Sequence, residues 1–148
     1  MNVRRRLLNS GVGKLYIFKQ GDTDFRFPVA YKTSNIEFTS GGALRAFRAY
    51  SNTLGIIDIG KLDLSKYKKL IVEFNGYGDT NDVGVSHDIV NATPIISSKV
   101  DAYVRTGTYN KTEVKEIPID RSWNNNYIFA AVDGFNQKMD IYNLWLEG

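Results

Sequence analysis

The stretch KLDLSKYKKLIVEFNG, residues 61–76, decides the fold. Leu62 and Leu64 alternate with Asp63 and Ser65, which is the period of a half-buried extended chain. Tyr67 follows as an aromatic plug, Lys68 and Lys69 mark a polar rim, and LIVEF at 70–74 is a dense apolar run closed by Asn75-Gly76. A chain that reaches the end of a two-layer β structure must seal that end and turn into its core. This order of residues does so. The segment predicts a central strand with an aromatic stopper at its entrance and needs no catalytic explanation.

The same grammar extends in both directions. LYIFK (15–19) ends at Gly21-Asp22, IEFT (36–39) at Gly41-Gly42, and LGIIDI (54–59) at Gly60. ALRAFRAY (43–50) has Leu44 and Phe47 at helical spacing, but its neighbours are strand-like and it is read as a strand. VDAYVRT (100–106) sets Val100, Ala102 and Val104 on one face and Asp101, Tyr103 and Arg105 on the other. EVKEIPI (113–119) carries Pro118, a residue of sheet edges and strand ends. YIFAAV (127–132) and KMDIYNLWLE (138–147) read as buried strands joined through Asp133-Gly134. About eight to ten short strands, with turn residues between them, predict an all-β antiparallel sandwich. The long connection 75–99 favours jelly-roll or Greek-key wiring over a meander. Residues 15–148 form the predicted domain, and residues 1–14 a short N-terminal arm.

Composition agrees and excludes several function classes. The chain of 148 residues is 43% hydrophobic, enough for one core, and its 13% aromatic content suits pleated sheets. It has no cysteine, so disulfides, thiolate metal sites and a cysteine nucleophile are excluded. No apolar run approaches the roughly 20 residues that cross a bilayer. The start, MNVRRRLLNSGVGK, has too short an apolar piece for a secretory signal, so synthesis in the cytoplasm is expected. Of the net charge of +3, the first fourteen residues hold +4 (Arg4, Arg5, Arg6 and Lys14, with no acid), leaving −1 on the folded body. A nucleic-acid binder would spread positive charge over a face of the domain, so nucleic acid is not an expected partner.

Two motifs resemble known families. The order D-L-S-x-Y-K-x-L-x-V at 63–72, together with the closing MDIYNLWLEG, resembles galactose-binding-like jelly-roll modules. Ile141, Leu144, Trp145, Leu146 and Glu147 carry the second half of that resemblance. Arg4, Arg5 and Arg6 followed by LYIFKQGD, with Tyr16 and Gly21-Asp22, are similar to minor structural and tail proteins of phages of Gram-positive bacteria. The resemblance implies a non-enzymatic virion part of tail, baseplate or fibre, made in the host cytoplasm. Its partners would be other virion proteins and a host cell-wall glycan, and it would assemble as a homo-oligomer, for example a trimer. Arg4, Arg5, Arg6, Leu7 and Leu8 would then be a docking peptide, as opposed to a frayed terminus. The alternatives are a freestanding carbohydrate-binding module serving a glycan-degrading enzyme, a head decoration protein and, third, a jelly-roll hydrolase.

The candidate site residues divide by chemistry. Sugars have an apolar face and a polar edge, so a sugar site needs an aromatic plate beside planar hydrogen-bonding groups. Three loops offer these: Tyr77, Asp79 and Asn81; Arg105, Tyr109 and Asn110; and Arg121, Trp123, Asn124 and Asn125. The competing reading of Trp123 and Tyr127 is that they cap the sandwich. Asp79, Asn81 and Asp82 are oxygen donors dense enough for Ca²⁺, or equally ordinary turn residues; no other cofactor is expected. Ser86, His87 and Asp88 are adjacent, and neighbours on a strand point to opposite faces, so they form no catalytic relay by themselves. No catalytic residue is expected.

Overall fold

The computed structural model describes residues 13–24, 27–49, 53–106 and 110–148. Among the described residues there is no helix, and eleven strands form two antiparallel sheets. The strands are β1 Lys14–Lys19, β2 Val29–Lys32, β3 Ile36–Phe38, β4 Leu44–Arg48, β5 Gly55–Ile59, β6 Lys69–Tyr77, β7 Asn81–Ser86, β8 Val100–Arg105, β9 Thr112–Pro118, β10 Tyr127–Val132 and β11 Gln137–Glu147. One sheet runs β3-β4-β11-β6-β9, with β1 also paired to β11; the other runs β2-β5-β10-β7-β8. Only β3–β4 and β7–β8 pair as consecutive strands, and every other connection crosses between the sheets. That wiring makes the molecule an antiparallel jelly-roll sandwich, as the residue pattern predicts.

The core follows from the period of two. Leu70, Val72 and Phe74 of β6 point inward beside Met139, Ile141, Leu144 and Leu146 of β11, against Ile57, Val85 and Ile128 of the opposite sheet. Each such fully buried side chain contributes about 1.5–3 kcal/mol by leaving water. The entrance to β6 behaves as read: Leu64 is buried, Tyr67 packs on the core, and Leu64 N–H donates to the Trp123 carbonyl at 2.9 Å. β11 is long enough to pair β4 along its first half and β1 along its second, with a bulge between Ile141 and Asn143 where the partner changes.

Two strands differ from the sequence reading. β2 was not expected, because VAYK is short and half exposed. NDVGVS, read as part of an acidic loop, is the fully buried strand β7. The turn from β6 to β7 is therefore tight, and the length of the 75–99 connection lies after β7, in 87–99. Gly84 looks like a turn residue but serves packing: a Cβ there would stand 2.7 Å from the Phe129 ring and would also strike the Ala102 carbonyl. The Phe129 ring is laid over Gly84, and only hydrogen leaves it room.

Candidate functional site

The two sheets expose their outer faces very differently. The outer face of the β2-β5-β10-β7-β8 sheet is roofed by the chain after β7. Val90 and Ile95 pack there on Ile56, Phe129 and Ala131 as a second small core. Beneath this roof lies Asp58, fully buried. Its Oδ2 accepts the Val90 N–H at 2.6 Å, while its Oδ1 is buried without a partner. Burial pushes this carboxyl up to about 7 against the lowering effect of the Val90 N–H, with Asp88 adding to the rise and Lys99 opposing it.

The outer face of the β3-β4-β11-β6-β9 sheet carries rows of aromatic and planar polar side chains set by strand register. In one row Tyr16, Trp145 and Ile71 are successive cross-strand partners on β1, β11 and β6. The Tyr16 and Trp145 rings lie 5.8 Å apart between centroids at 39°. Lys14 Nζ stands 4.7 Å over the Trp145 ring, and Trp145 Nε1 donates to Glu147 at 3.1 Å. The next row places Asn143 opposite Glu73, and Asn143 Nδ2 donates to Glu73 Oε1 at 2.8 Å. Past the bulge, Glu37, Arg45, Asp140, Asn75 and Thr112 form a polar row across five strands. Arg45 Nε and Nη2 donate to the two Asp140 oxygens at 2.6 and 2.9 Å. Asp140's hydrogen bonds raise the Arg45 guanidinium above its usual value. Asn75 is only 7% exposed, and its Oδ1 is buried without a partner.

A last row, Phe47, Lys138 and Tyr77, ends the face. Lys138 Nζ stands 4.5 Å over the Tyr77 ring. Beside it a cleft of about 310 Å³ opens, lined by Glu37, Arg45, Phe47, Arg48, Gln137 and Lys138 among others. From Lys138 to Trp145 the face runs seven residues along β11, roughly 23 Å at strand rise, long enough for several sugar rings.

The loop residues singled out from sequence do not converge. Tyr77, Asp79, Asn81 and Arg105 lie at the end of the sandwich where β6 stops and β7 begins; Trp123 and Asn125 lie in the β9–β10 connection at the opposite end. β6 alone separates these ends by roughly 27 Å. Trp123 packs against the core and its backbone N–H donates to the Asp120 carbonyl at 3.0 Å, which fits the capping alternative. Asn125 is exposed. Asn81 is wholly buried, its amide turned to Thr106 Oγ1 at 3.4 Å, so it offers no surface to a ligand. Arg105 is committed to Asp82, with Nε and Nη2 donating at 2.6 and 2.9 Å, and Asp79 accepts from Gln137 Nε2 at 3.0 Å. Tyr77 alone of that group belongs to the open face. Tyr109 and the arm residues Arg4, Arg5, Arg6, Leu7 and Leu8 lie outside the described residues.

The metal and catalytic candidates are dispersed as well. Asp82, buried under Arg105, and Asp79, held by Gln137, do not share a site, and among the described residues no group of three His, Asp or Glu side chains could hold an ion. Ser86 is buried, whereas His87 is exposed and its Nδ1 meets Asp101 Oδ1 of the neighbouring strand at 2.9 Å, not Asp88. Tyr16, Glu73, Asn75, Asp140, Asn143 and Trp145 were not read as a sugar site. Their signal is the outward alternation of β6 and β11 in IVEFNGY and MDIYNLWLE, which becomes a surface only when register places the two strands side by side.

No family model matches the chain, and no curated protein matches it by sequence. Solved structures do resemble it. A mutant of a family 29 carbohydrate-binding module superposes with a TM-score of 0.60 at 13% identity, covering 91% of both chains. Another mutant of a family 29 module, complexed with mannohexaose, gives 0.57 at 12% identity over 91% of each chain. A family 29 module from Piromyces equi gives 0.53 at 11% identity, covering 93% of this chain and 91% of that one. Nothing in these comparisons points to a phage origin. At such identity the likeness establishes the fold: the chain is an antiparallel jelly-roll β-sandwich built like the family 29 modules.

Proposed function

We propose that the protein is a non-catalytic glycan-binding module that lays an extended oligosaccharide across the outer face of the β3-β4-β11-β6-β9 sheet. One observation carries the reading: the half-buried Tyr16–Trp145 ring pair stands one row from the hydrogen-bonded Asn143–Glu73 pair, on a sheet face that no described segment covers. Rings of this kind stack on the apolar face of a sugar, while carboxylate and amide groups take its hydroxyls. The fold shared with carbohydrate-binding modules supports the same reading, including the mannohexaose complex. The virion role, its docking partners and a trimeric state rest on sequence resemblance alone.

The test is affinity electrophoresis and calorimetry against a panel of soluble polysaccharides. Tyr16→Ala and Trp145→Ala should each weaken binding at least tenfold with the circular dichroism spectrum unchanged. Trp123→Ala, in the β9–β10 connection and packed against the core, should lower stability and leave affinity alone. Full affinity in the Trp145→Ala protein would remove this face from the function.

A further inference from the structure

Resting on that reading of the face, we infer that the cleft at its Lys138 end takes an acidic sugar unit, with the sugar's anionic group set against the Lys138 ammonium. The cations around the cleft are not equivalent. Arg45 is paired with Asp140 and Arg48 with Asp133, so both charges are matched by the fold itself. Lys138 makes no ion pair among the described residues; its ammonium stands over the Tyr77 ring, 4.5 Å from the centroid. An ammonium resting on an aromatic face keeps its N–H donors and sheds part of its water, so an incoming anion displaces less solvent. Register also puts Lys138 between Phe47 and Tyr77, so the charge sits between two rings that a sugar could stack on.

The adjoining row supplies the rest of a ring's needs. Arg45, one quarter exposed at its side chain, lines the cleft with donors beyond those given to Asp140. The opposing group is Glu37, which lines the same cleft and lies opposite Arg45 in register. Its carboxylate limits how many anionic units fit and sets the order of the variants below. A neutral sugar would leave the Lys138 charge unmatched.

The experiment measures affinity for polygalacturonate, for a sulfated galactan and for neutral galactomannan, each at low and high salt. The expected result is a preference for polygalacturonate over galactomannan of about fivefold at low salt, the scale of one exposed ion pair, which shrinks as salt is added. Lys138→Gln should abolish the preference together with its salt dependence. Lys138→Arg should keep it, and Glu37→Gln should enlarge it. A sulfated galactan that matches polygalacturonate would show that the site reads charge and not carboxylate shape, which the inference accommodates. Equal binding of neutral and acidic chains, or a preference that survives Lys138→Gln, overturns the inference and leaves the glycan platform standing. Failure to bind any polysaccharide overturns both.

Discussion

Arg45 and Asp140 are direct cross-strand partners on β4 and β11, and the guanidinium closes on both carboxylate oxygens, at 2.6 and 2.9 Å. The Asp140 side chain is 6% exposed and that of Arg45 25%. This forked pair sits where β11 exchanges β4 for β1 as its neighbour, in the middle of the proposed binding face.

Asp140→Ala should therefore cost about 2–3 kcal/mol of folding stability, because it strands a partly buried guanidinium. Replacing both partners with apolar side chains of similar volume should cost less than the single change, since no charge is left unmatched. Urea unfolding of the single and double variants checks this. A single variant within about 0.5 kcal/mol of the parent would mean the pair is an ordinary surface bridge.

Asp58 predicts an unusual pH profile. Its folded value is raised from 3.8 to about 7, chiefly by burial, so between those values the native state holds a proton that the unfolded chain has released. Stability then falls as pH rises through this window and levels off above it. The loss should total roughly 4 kcal/mol, since each unit of pKa difference is worth about 1.4 kcal/mol. Asp58→Asn keeps an acceptor for the Val90 N–H and carries no charge, so it should flatten the profile and unfold later than the parent at pH 8. Thermal scans from pH 4 to 8 measure both, and parallel curves for the two proteins would dispose of the idea.

Gly84→Ala tests the packing of the roofed sheet. The added methyl would meet the Phe129 ring at 2.7 Å and the Ala102 carbonyl of the neighbouring strand, and the backbone partner cannot move without breaking the ladder. A loss of about 3 kcal/mol is expected in denaturant unfolding, at the upper end of overpacking costs. Pairing the change with Phe129→Leu should recover part of it by removing ring atoms from the site.

Much of the architecture is legible along the chain because burial is periodic. YIFAAV and LIVEF announce inner strands by apolar density, and VDAYVRT separates its faces by alternation: Ala102 and Val104 pack on the core, while Asp101 and Tyr103 stay exposed; Val100, expected beside Ala102, packs instead on the second cluster, past the register shift at Ser86. NDVGVS escapes that reading. Asn81 and Asp82 are turn formers in isolation, and their burial depends on Thr106 and Arg105, which strand pairing brings to them from 25 and 23 residues away. Local composition cannot report a partner that distant.

The binding face shows the same division. The chain by itself determined an antiparallel jelly-roll sandwich, its central strand and the plug of Tyr67, since those depend on the order of apolar and polar residues and on turn chemistry. Only the tertiary structure decided where a ligand could lie. Tyr16 and Trp145 are 129 positions apart and become neighbours through the β1–β11 ladder, whereas loops that looked alike in composition were sent to opposite ends of the body. Hydrophobic patterning is carried by each segment. A surface that binds is made by register between segments, and register is settled only when the whole sandwich closes.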